Sequence, residues 1–197
     1  SPLPLFTYGW TNTFRYKNVD LSIFFNGTYG NKVFNYNLMG QGHNGLSHMT
    51  SYWTNQQKIV TQRAQLVPVD GVYSDYWYDD VNKVKVANPG GRMPRITTAD
   101  PNDNDRVSDR YIEDGSYLRI KNITLGYTLP RKVLSRWQIE NVRIYMNIQN
   151  LYTFTRYTGY DPEVGASTQD ATGMTFGVDN GRYPSPTTYS CGLNITF

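Results

Sequence analysis

The stretch that decides the fold is the end of the chain, Thr187-Thr-Tyr-Ser-Cys-Gly-Leu-Asn-Ile-Thr-Phe197. Apolar residues alternate along it with small polar ones, almost without error. Successive side chains of a β-strand point to opposite faces, so the pattern predicts a strand over 187–197 with one apolar and one polar face. At about 10 residues, the segment also has the length of a tilted strand that crosses a bilayer. A strand of a soluble sheet could show the same pattern.

The same alternation recurs in four earlier segments, which lie at about 5–16, 19–28, 116–129 and 141–151. In the third of these, Ile123, Leu125 and Tyr127 form the apolar side. Strict alternation puts Arg119 and Lys121 on that side too, and we expect the strand to have risen above the lipid at this point. Five such strands with small polar faces indicate an outer-membrane barrel.

The links between the predicted strands alternate in length. Lys17-Asn18 and about 130–140 are short, whereas about 28–115 and 153–186 are long. Bacterial barrels have short periplasmic turns and long extracellular loops. We therefore predict an all-β chain that contributes membrane-spanning antiparallel strands to a β-barrel, with Phe197 at the periplasmic side and both long loops outside the cell.

Composition agrees with this prediction without deciding it. The 197 residues are 39% hydrophobic, below the usual 45–50% or so, yet they include 17 tyrosines and four tryptophans. A barrel with a wet lumen and aromatic girdles has this composition, and so does a soluble carbohydrate-binding β-domain. The net charge of +3 is scattered, which argues against nucleic acid as a partner. The sequence has no apolar run long enough for a transmembrane helix.

Five strands cannot close a barrel, because the smallest bacterial barrels have eight. An unpaired edge facing lipid would leave backbone N–H and C=O groups unsatisfied. The sequence also opens at Ser1-Pro2 with neither an initiating Met nor a signal peptide. We expect the chain to be part of a larger barrel, beginning in or near an extracellular loop.

The motifs that could carry catalysis or bind a cofactor are weak. The G-x-G-x-x-G match at Gly40–Gly45 has no βαβ unit around it, so we do not expect a dinucleotide site. His43 and His48 fit no zinc spacing, and Cys191 lies in the apolar series of the last strand as a small hydrophobe. The chain is therefore predicted not to be an enzyme and to hold no cofactor or metal.

Two segments of the first long loop carry local predictions. The acidic stretch at 100–109 lacks the Gly and Glu of an EF-hand, so a polar turn is favoured, with an irregular calcium site as the alternative. The Ser47–Gln65 segment predicts a helix with Trp53, Gln57, Val60 and Ala64 near one face.

The first long loop is also rich in aromatic residues. Trp53, Trp77 and Tyr78 are candidate contacts for a solute, because sugar rings bind on flat aromatic faces. The alternative is that these side chains pack the loop against itself or against a partner.

Five segments, taken in order, resemble the SusC/RagA family of TonB-dependent transporters. They are Asn18–Gly30, Glu113–Pro130, Arg143–Glu163, Gly181–Pro186 and Gly192–Phe197. The resemblance reaches the end of the chain and is weakest in the first long loop.

The resemblance implies a 22-stranded barrel of which this chain supplies the last five strands. It also implies import of oligosaccharides or oligopeptides beneath a SusD-like lipoprotein, energised through TonB. The implied partners include the N-terminal barrel and plug of the same transporter, which this sequence lacks. A siderophore receptor, a passive porin and a soluble carbohydrate-binding β-sandwich remain as alternatives.

Overall fold

A computed structural model describes residues 1–39, 58–75, 77–91, 93–95, 104, 106–135, 139–165 and 176–197. The chain divides into two compact units. The first combines Ser1–Phe34 with Glu113–Phe197, and the second is Asn35–Ile112.

The first unit is built on a five-stranded antiparallel sheet. Its strands are long enough for bilayer crossing and follow one another in sequence order: β1 (Phe6–Tyr16), β2 (Val19–Tyr29), β7 (Tyr117–Thr128), β8 (Asn141–Thr155) and β10 (Thr188–Thr196). Four of these strands begin and end within two residues of the bounds expected from the sequence. β8 instead continues to Thr155, because Tyr152 to Thr155 pair with Tyr117 to Ile120 of β7.

Short and long links alternate around the sheet. Lys17-Asn18 joins β1 to β2, and 129–140 joins β7 to β8 through the single helical turn α1 (Arg131–Leu134). The other two links span 30–116 and 156–187. All long links therefore leave from one end of the sheet, called here the long-link end, and all short links from the short-link end.

Cross-strand pairing gives the sheet two chemically different faces. The apolar face carries large hydrophobic side chains, among them Trp10, Phe14, Leu21, Ile23, Leu125, Ile144, Met146, Cys191 and Leu193. The polar face carries small or hydrogen-bonding side chains, among them Thr11, Thr13, Ser22, Asn26, Thr124, Asn147, Ser190 and Asn194. Leu125, Ile144 and Leu193 are 47%, 51% and 55% exposed, so the centre of the apolar face is open. An apolar surface of this extent marks contact with a membrane or a partner.

A β-bulge at Lys121 corrects one expectation from the sequence. Ile120 pairs with Phe25, whereas Asn122 pairs with Phe24, so Lys121 is an extra residue in β7. Because an extra residue shifts the alternation by one, side chains before it change faces. Arg119 therefore lies on the polar face, opposite Asn26 and Thr153, and its predicted place on the apolar side is wrong.

Three short strands form a second sheet. β3 (Lys32–Asn35) lies between β6 (Ile112–Asp114) and β9 (Val178–Asp179). The Phe34 N–H donates to the carbonyl of Gly177 at 2.7 Å, and the Gly115 N–H donates to that of Asn31 at 2.9 Å. The second long link thus contributes a strand instead of remaining irregular throughout.

The second unit contains a two-stranded sheet of β4 (Leu66–Pro68) and β5 (Val84–Val86). Residues 47–57 of the helix predicted over Ser47–Gln65 lie outside the described residues. The described remainder forms a 3-10 helix over Lys58–Gln62, with Val60 buried, and Arg63 then bridges Met93. The helix therefore ends at Gln62, earlier than predicted, because the backbone of Arg63 pairs with that of Met93. Among the described residues, no helix is both long and apolar enough to cross a membrane.

Candidate functional site

The strongest polar constellation of the first unit surrounds the guanidinium of Arg119. The Arg119 cluster, defined as Arg119, Lys121, Thr153, Asp161 and Glu163, lies at the long-link end. Arg119 donates to the Thr153 hydroxyl at 2.7 Å and to Glu163 Oε2 at 2.7 Å, and it forms an ion pair with Asp161. Lys121 Nζ lies 3.6 Å from the same Glu163 oxygen. The cluster joins two sheet strands to the link that follows β8.

The bulge makes this cluster possible. It turns Arg119 to the face on which Thr153 lies, whereas unbroken alternation would turn it away. The side chain of Arg119 is only 3% exposed and that of Asp161 7% exposed. A buried charge needs a partner and hydrogen bonds, and here each charge has both.

The charged form of Asp161 is held by several donors. Burial by itself raises the pKa of this carboxyl group, but the backbone N–H groups of Glu163 and Ser185 and the Arg119 guanidinium outweigh it. The net result is an Asp161 pKa below its usual value. Asp161 is therefore ionised at neutral pH, and its hydrogen bond from the Ser185 N–H fixes the segment near Ser185 as well.

A second buried contact fastens the same link. The hydroxyl of Tyr157 donates to Asp179 Oδ2 at 2.6 Å, and both residues are buried. Asp179 Oδ1 accepts from the N–H groups of Gly181 and Arg182 at 3.0 and 3.1 Å. Burial, followed by the hydrogen bond to Asp179, raises the pKa of Tyr157 above its usual value. The link between β8 and β10 is thus fixed at several points.

A second ion pair lies at the short-link end of the polar face. Arg143 Nε donates to Asp20 Oδ1 at 3.1 Å, and the two side chains are 28% and 29% exposed. They meet directly over Gly126, where a Cβ atom would overlap both of them. Glycine at this position leaves the space that the ion pair occupies.

An open groove lies at the long-link end among side chains of the apolar face. The aromatic groove, defined as Tyr8, Tyr29, Leu118, Phe154 and Arg156, has a volume of about 480 Å³, with Asp114, Ser116 and Thr155 also on its lining. The Tyr8 ring lies over Gly27 and donates its hydroxyl hydrogen to the carbonyl of Tyr117 at 2.9 Å. This hydrogen bond spans β2 and fixes the floor of the groove.

The sequence-predicted solute contacts fall in the second unit. Trp77 is half-buried, and its ring makes edge-to-face contacts with Tyr73 and Tyr78, at centroid distances of 5.3 and 5.8 Å. Arg95 lies over the ring of Tyr78 at 5.6 Å. Trp53 lies outside the described residues. The described aromatics therefore contact one another, with Tyr73 and Tyr78 exposed at the surface.

Several weaker motifs also fall where the structure gives no description. His43, His48 and Gly40–Gly45 lie outside the described residues, as do residues 100–103 and 105 of the acidic stretch at 100–109. Within the part of the chain that is described, no group of three or more His, Cys, Asp or Glu side chains could hold a metal ion.

Comparison with known sequences identifies the relatives of this chain. TonB-dependent receptor P3 of Formosa agariphila is 33% identical over 198 residues, and TonB-dependent receptor P26 of the same bacterium is 31% identical over 198 residues. Each alignment covers 100% of this chain and 17% of the relative. The chain is homologous to the TonB-dependent receptors. It spans about one sixth of the length of these two relatives.

A further relative is the TonB-dependent receptor SusC of Bacteroides thetaiotaomicron, 33% identical over 98 residues, which are 47% of this chain and 8% of that protein. No protein-family model matches the chain. The resemblance to the SusC/RagA family of TonB-dependent transporters is therefore confirmed by its relatives. These relatives are receptors and not enzymes, in agreement with the prediction that the chain is not an enzyme.

Solved structures agree with this assignment. The RagAB peptide importer in its open-open state matches with a TM-score of 0.63 at 24% identity, and in its closed-closed state with 0.65 at 22%. Each match covers 100% of this chain and 18% of the solved chain. At this identity the similarity establishes the fold alone, which is that of one portion of a much longer chain of the RagAB importer.

Sequence reasoning missed both the Arg119 cluster and the aromatic groove. Asp161 and Glu163 follow Arg119 by 42 and 44 positions, and no local pattern relates residues so far apart. One signal was present. Leu118 and Ile120 have even numbers, whereas Ile123, Leu125 and Tyr127 have odd ones, and this change of parity marks the bulge.

Proposed function

We propose that this chain is the C-terminal part of the β-barrel of a SusC-like, TonB-dependent importer in the bacterial outer membrane. In this proposal its five long strands are the last five of a 22-stranded barrel. The observation that carries the proposal is the two-faced sheet, whose open apolar face suits lipid and whose polar face suits a hydrated lumen. The long-link end then faces the exterior and the short-link end the periplasm.

The two long links would then form outer loops, at about 28–115 and 153–186 in the sequence. The loop after β8 contributes a fixed wall to the outer vestibule, because the Arg119 cluster and the Tyr157–Asp179 bond fasten it to the first unit. The loop after β2 carries Trp53, Trp77 and Tyr78, which we propose as contacts for the solute or for a lid protein. Of the two described candidates, Tyr78 is more exposed to solvent than Trp77.

The proposed partners are a SusD-like surface lipoprotein, the remaining barrel and plug of the same transporter, and TonB through that N-terminal part. The proposed solutes are oligosaccharides or oligopeptides. The similarity to the RagAB peptide importer supports oligopeptides as the solute. The similarity to SusC supports the family but does not indicate a solute.

The orientation of the sheet can be tested with its single cysteine. In the full-length receptor, reconstituted in lipid with its other cysteines replaced, a nitroxide on Cys191 is expected to be relaxed by oxygen dissolved in the bilayer. The matched control moves the label by one residue with Ser190→Cys in a Cys191→Ser background. That position lies on the polar face, so oxygen should relax it much less. Equal relaxation at both positions would exclude a membrane-spanning sheet.

Transport needs a separate test in the native host. Deleting the gene is expected to abolish TonB-dependent uptake of either labelled oligopeptides or labelled oligosaccharides, and purification from outer membranes should recover a lipoprotein partner. Uptake that persists without TonB would instead indicate a passive porin. Loss of ferric siderophore uptake alone would indicate a siderophore receptor.

A further inference from the structure

The aromatic groove opens mainly among side chains of the apolar face, although Thr28, Tyr117 and Thr155 of the polar face also line it. Its defining aromatic and aliphatic side chains, Tyr8, Tyr29, Leu118 and Phe154, all belong to the apolar face by their pairing register. Its volume of about 480 Å³ falls within the range of pockets that hold small organic molecules.

The lining of the groove is amphipathic. Leu118, Tyr29 and Phe154 supply apolar surface, and the last two are 54% and 52% exposed. Ser116, Thr155 and Arg156 supply hydroxyl groups and a cation at the end where the strands stop. A ligand that fits must therefore combine an apolar portion with a polar head.

The charge of Arg156 favours an anionic head. Arg156 is exposed, and it forms no ion pair with any carboxylate in the described part of the chain. Asp114 is the acidic residue of the lining, but its Oδ1 already accepts from the hydroxyl and the N–H of Ser116, at 2.7 and 3.1 Å. These bonds, with smaller contributions from Lys32 and Arg156, hold the pKa of Asp114 below its usual value. Asp114 thus has its own hydrogen-bond donors in Ser116, and the exposed Arg156 guanidinium has no carboxylate of the described residues hydrogen-bonded to it.

The depth of the groove limits what can occupy it. If the apolar face meets lipid, the groove opens to the bilayer at the level where the strands end on the outer side. Aromatic side chains are typical of that interface, and a guanidinium binds phosphate through two parallel hydrogen bonds. The occupant available at that position is a lipid of the outer leaflet.

We propose that the aromatic groove binds the phosphorylated head of an outer-leaflet glycolipid. Arg156 contacts a phosphate, and Tyr29, Leu118 and Phe154 contact the sugar face and the first carbons of an acyl chain. This inference rests on the proposed function, because it requires the apolar face to lie in the membrane.

The test uses the purified full-length receptor and diphosphorylated lipid A in detergent micelles, with bound lipid counted by native mass spectrometry. Arg156→Gln is expected to weaken lipid retention about tenfold, the effect of losing one charge-assisted contact. Lys17→Gln is the matched control, since it removes an exposed cation at the short-link end and should leave retention unchanged. Fully dephosphorylated lipid A should bind both variants and the native protein equally weakly.

Equal retention by the Arg156→Gln variant and the native protein would overturn the proposal. Binding of inorganic phosphate as tightly as the lipid would overturn it too, because the sugar and acyl contacts would then contribute nothing. Labelling at Cys191 separates this inference from the proposed function. A lipid-exposed Cys191 with no lipid at the groove refutes only the groove, whereas a Cys191 that is shielded from lipid refutes the membrane assignment itself.

Discussion

Two ion pairs lie on the polar face of one sheet and differ in burial. Arg119 and Asp161, at the long-link end, have side chains that are 3% and 7% exposed, whereas Arg143 and Asp20, at the short-link end, are 28% and 29% exposed. Water screens the second pair, and such pairs contribute about 0–1 kcal/mol. Removing one partner of a buried pair leaves an uncompensated charge, at a cost of about 3–5 kcal/mol. The same kind of Arg–Asp ion pair therefore affects stability more where it is buried than where it is exposed.

Arg119→Ala tests the buried side of this comparison and should have the largest effect. Asp161 would remain buried without its cation, so we expect the full-length protein to lose about 3–5 kcal/mol of stability. Samples are heated to increasing temperatures before loading on a denaturing gel. The measurement is the temperature at which the band of the folded form disappears. Arg143→Ala is the matched control at the exposed pair. A similar shift for both variants would show that burial does not govern the difference.

Tyr157→Phe tests whether the second fastening of the β8–β10 link matters as much. The buried Asp179 carboxylate would lose one charge-assisted hydrogen bond and keep its two backbone donors. We expect a loss of about 1.5–3 kcal/mol, with faster proteolysis between 156 and 187. Tyr160→Phe serves as a control, because Tyr160 is 68% exposed. Unchanged proteolysis in Tyr157→Phe would mean that the Arg119 cluster alone holds the link.

Asp161→Asn tests whether the stability contributed by the Asp161 carboxylate depends on pH. The Asp161 pKa lies below its usual value, so the native residue stabilises the fold fully above pH 4 or so, and this contribution is lost as the pH falls through the lowered pKa. At pH 7 we expect Asp161→Asn to cost about 2 kcal/mol. The gap in melting temperature between variant and native protein should close toward pH 2. A gap that stays constant with pH would contradict an ionised Asp161.

Gly126→Ala tests the exposed pair and should have the smallest effect. The new Cβ would meet the far ends of Arg143 and Asp20, which are flexible and can swing aside. We expect separation of the pair and a loss of about 1 kcal/mol or less. Gly27→Ala is the contrast, because its Cβ would meet the backbone carbonyl of Tyr117 as well as the Tyr8 ring. If Gly126→Ala destabilises the protein more than Gly27→Ala does, the exposed pair contributes more to stability than its exposure predicts.

The strand pattern was readable from sequence because alternation is a local property. Residues such as Leu193 and Asn194 show their faces through their immediate neighbours, and the register agrees with that reading along β10. The place of Arg119 was not predicted correctly, since its face depends on an extra residue and the assumption was unbroken alternation. Asp161 and Tyr157 could not be predicted as site residues, because their partners are distant in sequence and are brought close only by tertiary folding.

The trio Trp53, Trp77 and Tyr78 shows another limit of composition. Aromatic richness predicted a surface for solute, but ring orientation decides whether a flat face is available. Trp77 meets its neighbours edge to face, so only part of its surface is open. Sequence supplies the residue type and leaves that orientation undetermined.

The extra residue at Lys121 has a consequence for protein engineering. It divides β7 into two sections whose even and odd positions have opposite meanings. A chimaera that joins the first section of one receptor to the second section of another must inherit the bulge, or every side chain before the junction is inverted. Deleting Lys121 would turn Arg119 and Tyr117 to the apolar face and Leu118 and Ile120 to the polar face. The single residue Lys121 thus decides on which face of the sheet each side chain of the first section of β7 lies.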